Sequence, residues 1–355
     1  MGPVLCGALV ACLGILLSPA TCQAHGGGLS AGDYRTTIDE TMPLLAGATI
    51  RVREDDLIEV GWRGPGRLII LGYGKEPYLR LGADGAFENR RSPSVQANLT
   101  QFGRQVLDPE ADVRAEPAWR RISSRPVVVW HDHRAHWMSR TPPAAVRAAP
   151  DRPQLVGRWT IPIRIDGRPG SITGRIDYVP PPNVWAWWGA AIGLAAALGA
   201  LAGWAPRPVA LVATRLAAAL AVGGGATLAA SRWLEAPAEG LTTGIDSGLP
   251  PSVSAALWIA AAGVAALAWL GCRWRAPEAE WLMLLMGVWI VGGGALFGQL
   301  GALNHAVVSS ALPATAVRVL VVIGLAGIPV AAVWAARSVG EIRDRGRTAR
   351  AAPSR

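Results

Sequence analysis

The chain has 355 residues, a formal net charge of +9 at pH 7, 51% hydrophobic residues and a mean hydropathy of +0.29. These values are typical of a membrane protein with basic edges and argue against a soluble enzyme. The sequence has no P-loop, no dinucleotide fingerprint and no nucleophile with a base at a recognisable spacing, so it indicates no enzyme class. We expect no nucleic-acid partner.

Residues 1–24 have the features of a secretory signal peptide. An apolar core at 4–17 is followed by small residues and a proline, which is the order found in such leaders. Cleavage after Ala20 and cleavage after Ala24 both fit the sequence, and the second would make His25 the first residue of the mature chain. Three of the four cysteines lie in this leader. We therefore expect no disulfide framework and no thiolate metal site in the exported part.

Residues 25–182 are predicted to form an exported β domain. Segments of alternating or β-branched residues, bounded by turn residues, favour strands at 48–52, 57–62, 67–72, 78–81, 158–165 and 171–179. Asp166-Gly167, between the last two segments, is a strong hairpin signal. Because no convincing amphipathic helix interrupts this pattern, we expect an all-β, two-sheet sandwich of the immunoglobulin or cupredoxin kind.

The second half contains five apolar stretches, at 184–204, 208–230, 253–270, 281–300 and 315–334. Each is long enough to cross a bilayer, which takes about 20 residues per helix. We predict an all-α transmembrane bundle of five helices at 183–336 and a basic tail at 337–355. An odd number of crossings after an exported domain puts this tail in the cytoplasm, and its arginines agree with the positive-inside rule. The predicted location is the cell membrane, with the lipid bilayer as a partner.

The stretch that carries candidate chemistry is 126–138, with the sequence P-V-V-V-W-H-D-H-R-A-H-W-M and three of the five histidines of the chain. Its β-branched start favours a strand. Side chains alternate along a strand, so His131 and His133 would share one face while Asp132 points the other way. Two imidazoles on one face are a usual start of a metal site.

Further ligands depend on where this strand ends. His136 and Met138 would join the site only if the strand ends or bends near Arg134. His25, if it is the mature N-terminus, would offer its α-amino group and a ring nitrogen, and a third imidazole would complete a copper-binding histidine brace. The alternatives are that His25 is an incidental residue and that the other histidines pack in a core.

At 130–138 the chain resembles a group of multi-pass membrane proteins from high-GC, actinobacterial-type genomes that carry W-H-D-H-R-x-H-W-M. More distantly, a mature N-terminal histidine followed by His-x-His is similar to histidine-brace copper proteins, namely the CopC type and the copper-binding chain of particulate methane monooxygenase. The positions that match are His25, His131 and His133. The resemblance implies copper as the cofactor.

The leading functional expectation is copper binding at the outer face of the membrane, for storage, delivery or uptake. Imidazole ligands suit zinc equally well, and a thioether favours Cu(I). A copper transporter or another membrane protein is the expected partner. The alternatives are a β-domain scaffold that binds an envelope or protein partner without metal and, as a minor one, a component of a copper-dependent oxidase.

Overall fold

The computed structural model describes residues 32–39, 43–53, 57–98, 109–139, 141–235, 242–243, 299–308 and 310–351. Within these residues, a mostly antiparallel β region is followed by long apolar helices. This confirms the predicted order of a β part before a helical part. The predicted signal peptide, His25, the span 253–270 and nearly all of 281–300 lie outside the described residues.

Eleven strands and two short helices form the β region within these ranges. The strands are β1 (Tyr34–Ile38), β2 (Ala48–Val52), β3 (Leu57–Trp62), β4 (Leu68–Leu71), β5 (Pro77–Gly82), β6 (Gly85–Asn89), β7 (Trp119–Ser123), β8 (Val127–His131), β9 (Gln154–Ile165), β10 (Arg168–Tyr178) and β11 (Thr242–Thr243). The helices are α1 (Pro93–Ala97) and α2 (Ala144–Ala148).

The strands are arranged in two sheets. One has seven strands in the order β1-β10-β9-β4-β5-β6-β7, and the other has four in the order β11-β8-β3-β2. All neighbouring pairs are antiparallel except β11 with β8. The sequence did not predict β1, β6, β7 or β11, and of these β1 and β7 are the two edges of the larger sheet. Edge strands need fewer apolar residues, and this explains their weak sequence signal.

Side chains from both sheets share one hydrophobic core. Along β9, the buried side chains alternate with more exposed ones; they are Trp159, Ile161, Ile163 and Ile165. Ile58, Val60 and Trp130 of the smaller sheet belong to the same cluster. The two sheets therefore bury their inner faces against each other, in a sandwich-like arrangement.

The hairpin between β9 and β10 has the turn that the sequence predicted. Ile165 pairs with Arg168 across a two-residue loop. The two loop residues both have positive φ angles, 47° at Asp166 and 81° at Gly167. This is the pattern of a type I′ turn, for which Asp-Gly is a preferred sequence.

Three long helices follow the β region among the described residues: α3 (Val184–Trp204), α4 (Arg207–Glu235) and α5 (Ala314–Ala351). Each contains a segment long and apolar enough to cross a membrane, at Val184–Trp204, Arg207–Ser231 and Ala314–Trp334. The first, second and fifth predicted spans are therefore present as helices.

Helix α5 does not end at the predicted boundary after residue 336. Alanine, arginine and glutamate all favour helix, so the basic sequence that follows continues it to Ala351. Arg337, at the start of the predicted tail, donates hydrogen bonds from Nη1 to the carbonyls of Ala202, Gly203 and Ala205. A cation thus lies at the carboxyl end of α3, where the helix dipole favours it.

Three connections join the helices to the β region. Helix α3 starts directly after β10, β11 follows α4 and pairs with β8, and Val307 before α5 pairs with Gly32. The predicted span 253–270 and nearly all of 281–300 lie outside the described residues, so the topology of five crossings stays a prediction.

Five crossings after an exported domain would place Arg355 on the side of the membrane opposite the β domain, and we expect a reporter fused after Arg355 to lie there. The measurement is a pair of fusions, one after Arg355 and one after Glu235, assayed with reporters active on only one side. The Glu235 fusion should report the side of the β domain. The same compartment for both fusions would contradict this topology.

Candidate metal site

The strand β8 ends at His131, earlier than the sequence suggested. Asp132 then caps a 3₁₀ turn at His133–Ala135, its carboxylate accepting a hydrogen bond from the backbone N–H of Arg134 at 3.1 Å. The alternation of faces expected from His131 to His133 therefore does not apply. The side chain of Asp132 ends the strand by forming an Asx-type cap. An aspartate carboxylate can accept a hydrogen bond from a nearby backbone N–H that would otherwise pair within a sheet.

The turn nevertheless brings three imidazoles together. The ring centroids of His131 and His136 are 4.2 Å apart, those of His131 and His133 are 5.3 Å apart, and those of His133 and His136 are 5.5 Å apart. His131 and His136 are buried, and His133 is half-buried. We call these three side chains the histidine cluster. His136 joins it under the condition that the sequence set, namely that the strand ends before Arg134.

The ring spacing, but not the present ring orientation, suits a metal ion. Among the described residues, no group of three or more His, Cys, Asp or Glu side chains could hold a metal ion as it stands. A metal–nitrogen distance of about 2.0–2.1 Å places the centroids of two imidazoles on one ion roughly 4.5–5.3 Å apart, for bond angles of about 90–109°. The three observed distances bracket this range. For the three imidazole nitrogens to point at one ion, the histidine side chains would have to rotate to other rotamers.

The hydrogen bond of His136 determines which ring nitrogen carries its proton. Nδ1 of His136 lies 3.2 Å from the backbone carbonyl oxygen of Asp132. A carbonyl oxygen only accepts hydrogen bonds, so Nδ1 is the donor. In the neutral ring, Nε2 then carries the lone pair. A backbone carbonyl that holds the second nitrogen of a histidine is a recurrent feature around metal-binding imidazoles.

Asp132 is fully buried and anchors the turn. Its carboxylate accepts hydrogen bonds from Nε and Nη2 of Arg134 at 2.8 and 2.7 Å, and from Nε1 of Trp130 at 3.0 Å. Burial alone would lower the pKa of Arg134, but its hydrogen bonds to Asp132 and the charge of that carboxylate outweigh burial and raise it. Arg134 therefore keeps its positive charge beside this carboxylate. Sequence reasoning missed this role, although the D-x-R spacing within the motif was a signal for it.

Tyr73 supports the turn from a distant part of the chain. Its hydroxyl accepts a hydrogen bond from the backbone N–H of His133 at 2.9 Å and donates one to Asn98. Its ring lies beside the ring of His133 and below the guanidinium of Arg134, at 6.2 and 4.8 Å. Burial, and then the charge of Asp132, raise the pKa of Tyr73, so the phenol keeps its proton. Nothing in the local sequence could have shown this contact.

The remaining predicted residues have different surroundings. Trp130 is in the core, and Trp137 stacks on Tyr34 with ring centroids 6.0 Å apart. Met138 is half-buried, two residues beyond His136. His25 lies outside the described residues, and the histidine brace stays a prediction.

Known proteins provide no guide to the function of this chain, so the functional argument rests on the geometry of the site. No family model, no curated protein and no solved structure matches this chain. The immunoglobulin or cupredoxin kind of sandwich and the resemblance to histidine-brace proteins therefore stay predictions.

Proposed function

We propose that the histidine cluster binds one copper ion, with zinc as the competing metal, and that the protein stores, delivers or takes up copper at the outer face of the membrane. The observation that carries this proposal is the grouping of His131, His133 and His136, with ring centroids 4.2–5.5 Å apart, in a chain with five histidines. Imidazoles suit Cu(II) and Zn(II). The thioether of Met138 would add preference for Cu(I).

The surroundings of the cluster support metal binding in two ways. The backbone of the turn is held by the buried Asp132–Arg134 pair and by Tyr73, so ligands attached to it lose little further freedom on binding an ion. His133 is half-buried while His131 and His136 are buried. An ion could therefore reach the first ligand from solvent and then be enclosed by the other two.

The position of the cluster supports metal handling by a membrane protein. Ala135, inside the turn, accepts a hydrogen bond from Thr36 of β1, and the residue before β1, Asp33, is bonded to the segment that leads into α5. The cluster is thus connected through β1 to the segment that leads into the membrane helix α5. This arrangement supports exchange of the ion with a membrane component, of which a copper transporter is one kind.

Metal content of the purified full-length protein tests this proposal. We expect elemental analysis after dialysis to find one copper or zinc ion per chain, and an apo sample to regain one equivalent on titration with Cu(II). A protein that holds no metal under both conditions would leave the scaffold function, in which the histidines serve only in packing.

A further inference from the structure

The start of β1 is fixed to the segment that precedes α5. The carboxylate of Asp33 accepts one hydrogen bond from the backbone N–H of Ala306 at 2.9 Å and one from Nδ1 of His305 at 3.1 Å. Next to it, Gly32 and Val307 exchange two backbone hydrogen bonds, at 3.2 and 2.8 Å. We call these bonds between 32–33 and 305–307 the docking contact.

The segment on the other side of the docking contact is held by the membrane helices. Arg318 of α5 is buried, and it donates hydrogen bonds to the carbonyls of Ala302, His305 and Ala306 at 2.8, 2.9 and 3.1 Å. Nε1 of Trp188, on α3, donates to the side chain of Asn304 at 2.9 Å. Since both helices hold this segment, a shift of either helix would be transmitted to the docking contact.

The middle of β1 restrains the histidine cluster. The hydroxyl of Thr36 donates a hydrogen bond to the carbonyl of Ala135, and the ring of Tyr34 stacks on that of Trp137. Ala135 and Trp137 are the two chain neighbours of His136. The short stretch 32–38 therefore bonds to the segment before α5 through the two residues that precede β1, and β1 itself contacts both neighbours of His136.

We propose that the docking contact regulates the metal affinity of the histidine cluster, and this inference rests on the proposed function. Among the described residues no three ligands could hold an ion as they stand, so the rings must rotate to converge. While the contact is intact, β1 restrains both neighbours of His136 and opposes the main-chain shift that would accompany rotation of its ring. Metal binding and release of the docking contact therefore favour each other. Thermodynamic linkage makes this coupling reciprocal. The factor by which the bound ion weakens the docking contact equals the factor by which the docking contact weakens ion binding.

The test is a Zn(II) titration of full-length protein in lipid nanodiscs. Asp33→Ala removes both acceptor oxygens of the docking contact, and we expect it to tighten Zn(II) binding about fivefold or more, the lower end of common coupling strengths. His305→Ala removes one of the bonds and should act in the same direction with a smaller factor. Asp177→Ala is the matched control, because its carboxylate pairs with Arg175 on the strand next to β1; it should leave the affinity within about twofold.

A covalent lock gives the opposite change. An added Cβ at Gly32 meets only a backbone nitrogen 4.0 Å away, and Val307 is its antiparallel partner. The variant Gly32→Cys/Val307→Cys therefore places two cysteines at directly paired positions, with space for the new side chain at 32, and oxidation should link them by a disulfide. It should weaken Zn(II) binding relative to the same variant reduced and alkylated.

The outcomes separate this inference from the proposed function. A wild-type chain that binds neither Zn(II) nor Cu(II) overturns both. A wild-type chain that binds the ion, with unchanged or weaker binding in Asp33→Ala and no effect of the disulfide, overturns only the regulation by docking. Thermal melts of each variant confirm that the β domain is folded in the samples compared.

Discussion

His133→Ala is expected to weaken Cu(II) binding at least about 100-fold, because residues that only support metal ligands already change affinity by about 10–100-fold. The loss of one of three imidazoles leaves two donors and no comparable chelate. The fold should tolerate the change. His133 is half-buried, and the hydrogen bond to Tyr73 comes from its backbone N–H, which alanine retains. The measurement is a copper titration together with a thermal melt.

His136→Ala should weaken copper binding to a comparable extent. The sequence made the role of His136 depend on where the strand ends, and in the structure its ring is the one nearest to His131. Because His136 is buried, its removal should also lower the melting temperature. Ser139→Ala is the control in the same segment, since this side chain is exposed. A His133→Ala protein with unchanged copper affinity and a lowered melting temperature would instead indicate a packing role.

Asp132→Asn is expected to cost the β domain about 3 kcal/mol of unfolding free energy, the lower end for breaking a buried ion pair by changing one partner. An asparagine side chain has the same shape but no charge, and its amide group would place N–H donors against those of Arg134 or Trp130. The carboxylate is fully buried and satisfies donors from both residues. The turn that carries His133 and His136 should loosen as a result.

Chemical denaturation of the full-length protein, monitored by tryptophan fluorescence, measures this change. Asp177→Asn is the control, because its pair with Arg175 is partly exposed to solvent; it should cost under about 1 kcal/mol. A loss at Asp132→Asn no larger than at the control would show that the buried pair does not hold the turn.

Much of the fold could be predicted because its signals are local. The strands at 48–52 and 57–62 match β2 and β3, and the Asp-Gly turn between β9 and β10 needed only its own two residues. The helices α3, α4 and α5 were predicted from apolar length alone. Four strands were missed: β1, β6, β7 and β11. Of these, β1 and β7 are the edges of the larger sheet, where a strand carries few of the residues that mark burial.

The candidate site was predictable only in part. The sequence identified the three histidines, but it placed His133 on a strand that ends at His131. The cause is the side chain of Asp132, which was expected to point away and instead caps a turn. The supports from Tyr73 and Thr36 come from positions 60 and 99 residues away along the chain. Contacts at such separations depend on sheet order, which no local pattern shows.

X-ray absorption spectroscopy of the full-length protein loaded with one equivalent of Cu(II) tests the central claim most directly. We predict three imidazole nitrogens at about 2.0 Å from the copper, with the outer-shell scattering of histidine rings, and one fewer ring in His133→Ala. A spectrum with only oxygen ligands, or one that is identical in wild type and His133→Ala, would contradict metal binding by the histidine cluster.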